Sequence, residues 1–209
     1  LRLEFAPGRR LARTAVESGT DVARMDLSVG SGKRTRWRTL LCPFLQADGR
    51  GRSERGYVVY ESERLDRALL VTGHPVLELS LGSSAPDGAI VAYLEDVTPS
   101  GDARLVSEGE LRTVHRTRLV ERENGPPSVE VSFARRDALV LVPGERVTHV
   151  IELLPLALRV PRGHRLRLSL GAADVDHFTT PAAPGPVEWH IELSGSRLWL
   201  PISEPTDGR

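Results

Sequence analysis

The chain has 209 residues, enough for one sizeable core, and its 28 basic and 28 acidic residues cancel, so the basic excess of a nucleic-acid binder is missing. Its one cysteine, Cys42, excludes an internal disulfide and reads as a small buried hydrophobe. No apolar run approaches the ~20 residues of a membrane-spanning helix, so neither nucleic acid nor membrane is an expected partner.

Residues 1–55 are rich in Arg and Gly and weakly patterned, and are expected to form an N-terminal arm or linker. They begin "LRLEFAPGRR", with no initiator Met and no leader layout, so the chain reads as a piece of something longer. The single cysteine and missing leader favour a cytoplasmic home. "SERLDRALL" (62–70) is the best helical candidate, and it is short. Strand signals dominate from there. "VLELSL" (76–81) places Leu77, Leu79 and Leu81 on one face and Glu78 and Ser80 on the other. The turn signals "APDG" (85–88) and "TPSG" (98–101) bracket a dense run over 89–97. That run ends in Glu95 and Asp96, which as neighbours on a strand face opposite sides and cannot form one acid–base pair. One of them is expected inside, satisfied by an Arg or by backbone amides.

"RLVSEGELRTVHR" (104–116) carries Gly109 inside a strand-like run, which suggests a bulge. "VTHVIEL" (147–153) puts Val147, His149, Ile151 and Leu153 on one face, and "RLRLSL" (165–170) does the same with Leu166, Leu168 and Leu170. "VEWHIEL" (187–193) sends Trp189, Ile191 and Leu193 inward. A hairpin across Gly195 and Ser196 is expected to return as a strand over 197–202, where Trp199 points away from Leu198, Leu200 and Ile202. Many strands with near-regular turns predict an all-β fold, a jelly-roll β-sandwich over 56–203, with 204–209 as a tail.

Few constellations carry chemistry. The G-x-S-x-G nucleophile elbow is absent, and "VGSGK" (29–33) has the wrong spacing. "GAADVDHF" (171–178) gathers Asp174, Asp176 and His177. They could serve a hard cation, and hence a metal-dependent β-fold enzyme, but two aspartates after a strand more often cap turn amides. Zinc spacing is missing, as is the cupin arrangement of two histidines one residue apart with a Glu. No metal and no cofactor is expected. "KRTRWR" (33–38) could stack a base on Trp37, although the neutral charge argues for an arm whose Trp packs on protein. Aromatics make up 5% of the chain, too few for a sugar-binding platform. Trp189 reads as core, and Trp199 as facing solvent or a partner domain.

Ordered landmarks carry a family resemblance: "YESERL", "VTGHPV", "APDG", "YLEDVTPSG", "SEGELR" and "HR" within 58–116. "LVPGE" (141–145), "ELLPLALRVPRGHRLRLSLGAADVDHF" (152–178) and "SRLWLP" (196–201) follow, and "GSGKRTRW" (30–37) is similar to a linker. The chain resembles the C-terminal domain of the Xaa-Pro dipeptidyl-peptidase and cocaine-esterase hydrolase family. The resemblance implies a galactose-binding-like jelly roll that follows an α/β-hydrolase domain with a helical cap. That jelly roll packs on the catalytic domain and helps shape its cleft. The Ser-Asp-His triad of the family lies in the hydrolase domain, so no catalytic residue is carried over. Residues 117–135 match poorly, and Ala89 and Ile90 stand where family members often have bulky aromatics. The resemblance implies a partner in the α/β-hydrolase domain of a serine hydrolase. Contacts are expected through Trp37 and Trp199, and exposed surface on the 1–55 arm would invite a homo-oligomer. A free-standing carbohydrate- or ligand-binding module is the alternative.

Overall fold

The structure, a computed structural model, describes residues 1–31, 56–115, 117–120, 128–181, 183 and 185–203. In chain order the strands are β1 (Arg2–Ala6), β2 (Arg10–Ala12), β3 (Thr20–Met25), β4 (Val58–Ser62), β5 (Leu69–Gly73), β6 (Val76–Ser83), β7 (Ala89–Val97) and β8 (Ala103–Arg112). There follow β9 (Thr117–Val120), β10 (Ser128–Val131), β11 (Arg146–Glu152), β12 (Leu156–Val160), β13 (Arg165–Gly171), β14 (Val187–Trp199) and β15 (Ile202–Ser203). The only helical piece among the described residues is a single 3₁₀ turn, Arg135–Asp137.

One continuous ladder runs β11-β6-β14-β1-β2-β4-β13-β7-β8, and β3 adds to β14. Every pairing in it is antiparallel except β2 with β4. The ladder wraps into a β-sandwich. The inward faces of β6 (Leu77, Leu79, Leu81), β7 (Ile90, Ala92, Leu94), β13 (Leu166, Leu168, Leu170) and β14 (Trp189, Ile191) meet in one core. The period-two reading of these strands therefore holds. His149, opposite Leu79 on β11, is fully buried on the core side as well. Two small sheets lie outside the ladder, β12-β5-β15 and β10-β9.

Four expectations are corrected. Residues 62–70 are not helical: β4 ends at Ser62 and β5 begins at Leu69. Leu65 and Leu69 do share a buried side, but Leu65 is inserted from a loop whose amide donates to the His164 carbonyl at 2.8 Å. The hairpin across Gly195 and Ser196 is instead one 13-residue strand, β14. Its register against β6 slips between Glu192 and Arg197, so these residues form a bulge. Gly195 sits there because a Cβ would meet the Ser80 Cβ at 2.8 Å. The Ser196 hydroxyl donates to the Glu192 carbonyl at 2.6 Å and accepts the Ser80 amide at 3.0 Å.

The bulge on β8 falls at Val106, between Ser107 opposite Leu94 and Leu105 opposite Glu95. Gly109 pairs regularly with Ala92. It is needed for close approach: a Cβ would meet Ile151 Cγ2 at 3.0 Å, the Glu152 carbonyl at 3.1 Å and Leu153 Cα at 3.2 Å. Finally, the expected arm over 1–55 begins as sheet, because β1 and β3 pair with β14 and β2 pairs with β1 and β4. The part of that arm holding Cys42 and Trp37 lies outside the described residues, as does the tail 204–209.

Candidate functional site

Strand β7 is buried on both faces, because a second apolar cluster covers its outer side. Val91 and Tyr93 pack there with Val29, Tyr57 and Ala173. Glu95 and Asp96 do face opposite ways: Asp96, opposite the core residue Leu166, is the inward carboxylate expected, and Glu95 on the other face is buried as well. Glu95 accepts the Ser169 hydroxyl at 2.9 Å. Asp96 lies 2.7 Å from His164 Nδ1 and 3.6 Å from an Arg104 guanidinium nitrogen. Each carboxylate is engaged separately, and they share no proton.

The turn after β13 centres on Asp174, whose side chain is fully buried. Oδ1 accepts the amides of Ser31 at 3.0 Å and Asp176 at 3.2 Å, and lies 3.1 Å from His177 Nδ1. Oδ2 accepts the Tyr93 hydroxyl. Burial by itself raises the Asp174 carboxyl pKa, but the hydrogen bonds from Ser31, Tyr93 and His177 outweigh it and hold the group below its ordinary value. The Tyr93 phenol is pushed well above its usual range, first by burial and then by its bond to Asp174.

Three of these residues recite the names of a hydrolytic triad, but the geometry denies the chemistry. The Ser31 hydroxyl lies 3.2 Å from His177 Nδ1, the same nitrogen that faces Asp174. A relay needs serine on one ring nitrogen and carboxylate on the other. His177 Nε2 is buried and makes no hydrogen bond among the described residues. Asp174 thus does the work of a cap, tying the segment after β3 to the turn after β13. Asp176 contributes its amide and is exposed. Among the described residues no three His, Cys, Asp or Glu side chains are placed to share a metal ion, and the groups converging on Asp174 are hydrogen-bond donors rather than further ligands.

Trp199, the tryptophan expected to face outward, sits half-buried on the side of β14 away from the core. Its indole N–H donates to Glu78, and the Arg2 guanidinium stands over the ring, 5.5 Å from the centroid. Arg2 in turn bonds Glu4 at 2.5 Å. Arg197 lies between the buried Glu4 and Glu78, at 3.9 and 3.8 Å. Much of this indole is therefore already used within the chain.

Two surface features escaped the sequence reading. A cleft of about 610 Å³ opens between the β1–β2 hairpin and residues 62–66. Leu3, Leu11 and Leu65 line it, the ion pairs Arg10–Glu63 and Arg13–Asp66 edge it, and none of the described residues lining it is aromatic. The second is an apolar rise over residues 133–142, where Phe133, Leu139, Val140 and Val142 are all more than half exposed. The unbroken apolar run Ala138–Val142 was its signal, since solvent-facing runs of that kind are uncommon.

A family model described as the X-Pro dipeptidyl-peptidase C-terminal non-catalytic domain matches residues 23–195. A Mycobacterium bovis protein provisionally named a serine esterase is 35% identical over 198 residues, which cover 90% of this chain and 31% of that protein. A Mycobacterium tuberculosis protein of similar name matches equally, so the chain spans about a third of these curated relatives. Among solved structures, an aminopeptidase from a marine sediment archaeon superposes with a TM-score of 0.73 at 18% identity, covering 97% of this chain and 36% of its own. An α-amino acid ester hydrolase gives 0.70 at the same identity and the same coverages. These distant structures share the fold. The sequence match decides the family: the chain belongs to the X-Pro dipeptidyl-peptidase C-terminal non-catalytic domains.

Proposed function

We propose that this chain is the C-terminal β-sandwich of a serine hydrolase of esterase or Xaa-Pro dipeptidyl-peptidase type. On this reading it is a galactose-binding-like jelly roll that packs on an α/β-hydrolase catalytic domain and walls its substrate cleft. Residues 1–31 and 56–203 act as one unit, and Trp37 and Trp199 contribute to the contact. The observation that carries the reading is the family match over 23–195. The internal geometry agrees with it, because serine, imidazole and carboxylate meet on a single ring nitrogen and cannot relay a proton. Acylation and oxyanion stabilisation would belong to the catalytic domain. The alternative of a sugar-binding module is disfavoured by a cleft with no aromatic side chain among its described lining residues.

The test is direct. The purified chain is offered a chromogenic acyl ester and an Xaa-Pro anilide, and neither is turned over above buffer. Turnover that disappears with Ser31→Ala would sink the proposal. So would a full-length gene product that lacks a G-x-S-x-G strand-to-helix turn outside this domain.

A further inference from the structure

Of the seven large hydrophobic side chains exposed among the described residues, four fall within ten positions: Phe133, Leu139, Val140 and Val142. Scattered exposed hydrophobics need no explanation, whereas a contiguous group marks a surface that meets something. This group is also held in place. The Ser132 hydroxyl donates to Asp137 at 2.6 Å and accepts the Ala134 amide at 3.1 Å, closing a tight frame around the 3₁₀ turn. The amides of Leu139 and Leu141 donate to the carbonyls of Val114 at 2.9 Å and Pro86 at 2.7 Å. Leu141 is buried and pins the run from beneath.

Phe133 has φ of 52°, a left-handed conformation that bulky residues rarely adopt. It is 65% exposed, and its ring meets His115 edge-on at 5.3 Å. A fixed backbone that holds an aromatic ring outward, beside an open groove of about 520 Å³, is prepared for a partner surface and cannot collapse onto its own core.

The charges around it say what kind. Arg135 and Arg136 are exposed at the tip. Asp137 is engaged by Ser132 and lies 3.8 Å from the Arg136 guanidinium, and Arg112 is neutralised by Asp87. Arg135 has no carboxylate partner among the described residues, so the apolar patch carries one unpaired cation at its tip. A two-fold pairing of two copies through this face would bring two unpaired Arg135 side chains to one interface with no carboxylate for either, which disfavours self-association. Most of the length of the curated relatives lies outside the matched region, so a larger covalent neighbour is the natural occupant.

We propose that the face of Phe133, Leu139, Val140 and Val142 is where this domain meets the catalytic module, which presents an apolar patch edged by carboxylates. This rests on the proposed function above. It assigns the main contact to a surface other than that of Trp199, whose indole is largely occupied by Arg2 and Glu78.

Hydroxyl-radical footprinting of the isolated chain and of the full-length polypeptide tests it. Labelling of Phe133, Leu139 and Val140 is expected to fall about fivefold or more in the full-length protein, as for side chains entering a desolvated interface. Arg135→Glu in the full-length protein is expected to return labelling of Val140 toward that of the isolated chain, as is Val140→Asp for Phe133. The isolated variants serve as folding controls through their melting midpoints. Unchanged labelling at 133–142 with protection around Trp199 overturns this inference and leaves the proposed function standing. No protection anywhere overturns both. Protection that grows with the concentration of the isolated chain makes a second copy the occupant, and also overturns it.

Discussion

Replacing Asp174 asks whether the buried carboxylate holds the fold together or waits for a ligand. Asp174→Ala removes the acceptor serving the Tyr93 hydroxyl, the Ser31 and Asp176 amides and the His177 ring. The first of these bonds is buried and the other three are partly so. Losing a buried acceptor costs about 1–3 kcal/mol per donor left behind. Relief of the buried charge offsets part of this, so the net loss is about 3 kcal/mol. For a chain of this size that lowers the melting midpoint by roughly 6–12 °C. Asp174→Asn keeps the shape and one carbonyl oxygen, and should lose about half as much. The assay is thermal unfolding followed by circular dichroism, with and without a chelator. The carboxyl is held below its ordinary value of 3.8. The unfolded chain therefore takes up the proton first, so the stabilisation is complete above that value and disappears as pH falls through the depressed one. The asparagine variant should lack this part of the acid limb. An Asp174→Ala midpoint within ~2 °C of the wild type would refute the capping argument. A wild-type midpoint lowered by chelator would refute it in favour of a metal.

Gly109→Ala should destabilise by about 1–2 kcal/mol, because two of the three atoms its Cβ would meet are backbone and cannot turn aside. Gly185→Ala, in open space, is the control and should be neutral or slightly stabilising. Urea titration of the pair checks both, and equal midpoints would dismiss the close-approach account. Trp199→Phe keeps a ring for Arg2 but loses the bond to Glu78, for about 1 kcal/mol, while Trp199→Ala should cost more. If the isolated chain tolerates Trp199→Ala without loss, the indole does no internal work and its role lies outward.

The alternating strands were legible because their two sides differ: Leu166, Leu168 and Leu170 face the core while Arg165 and Arg167 keep partial access to solvent. Legibility failed where a distant element decides the outcome. Strands β1–β3 are short, and they are held by distant partners, β1 and β3 by β14 and β2 by β4. Gly195 and Ser196 have the chemistry of a turn and of a bulge alike, and it is Ser80 on β6 that selects the bulge. The split of Glu95 from Asp96 followed from strand geometry, but the cover that Val29 and Tyr57 lay over the outer face of β7, on Val91 and Tyr93, comes from distant segments. At the candidate site, the aspartates after β13 were readable as caps. That Asp174 reaches Ser31, far away in sequence, was not. The apolar rise at 133–142 went unread because it lies beside 117–135, where the family resemblance is weakest.

The bulge of β14 also governs when the domain can finish folding. Before the bulge, the strand carries β3 on one edge; after it, the strand carries β1. The first segments of the chain thus take their places beside almost the last. On a ribosome, β3 has no described ladder partner until Val187–Glu192 emerges, and the free edge of β1 must wait for Arg197–Trp199. Closure is a late, long-range event of high contact order. An amino-terminal neighbour, made earlier, would have time to fold first and stand ready as a template.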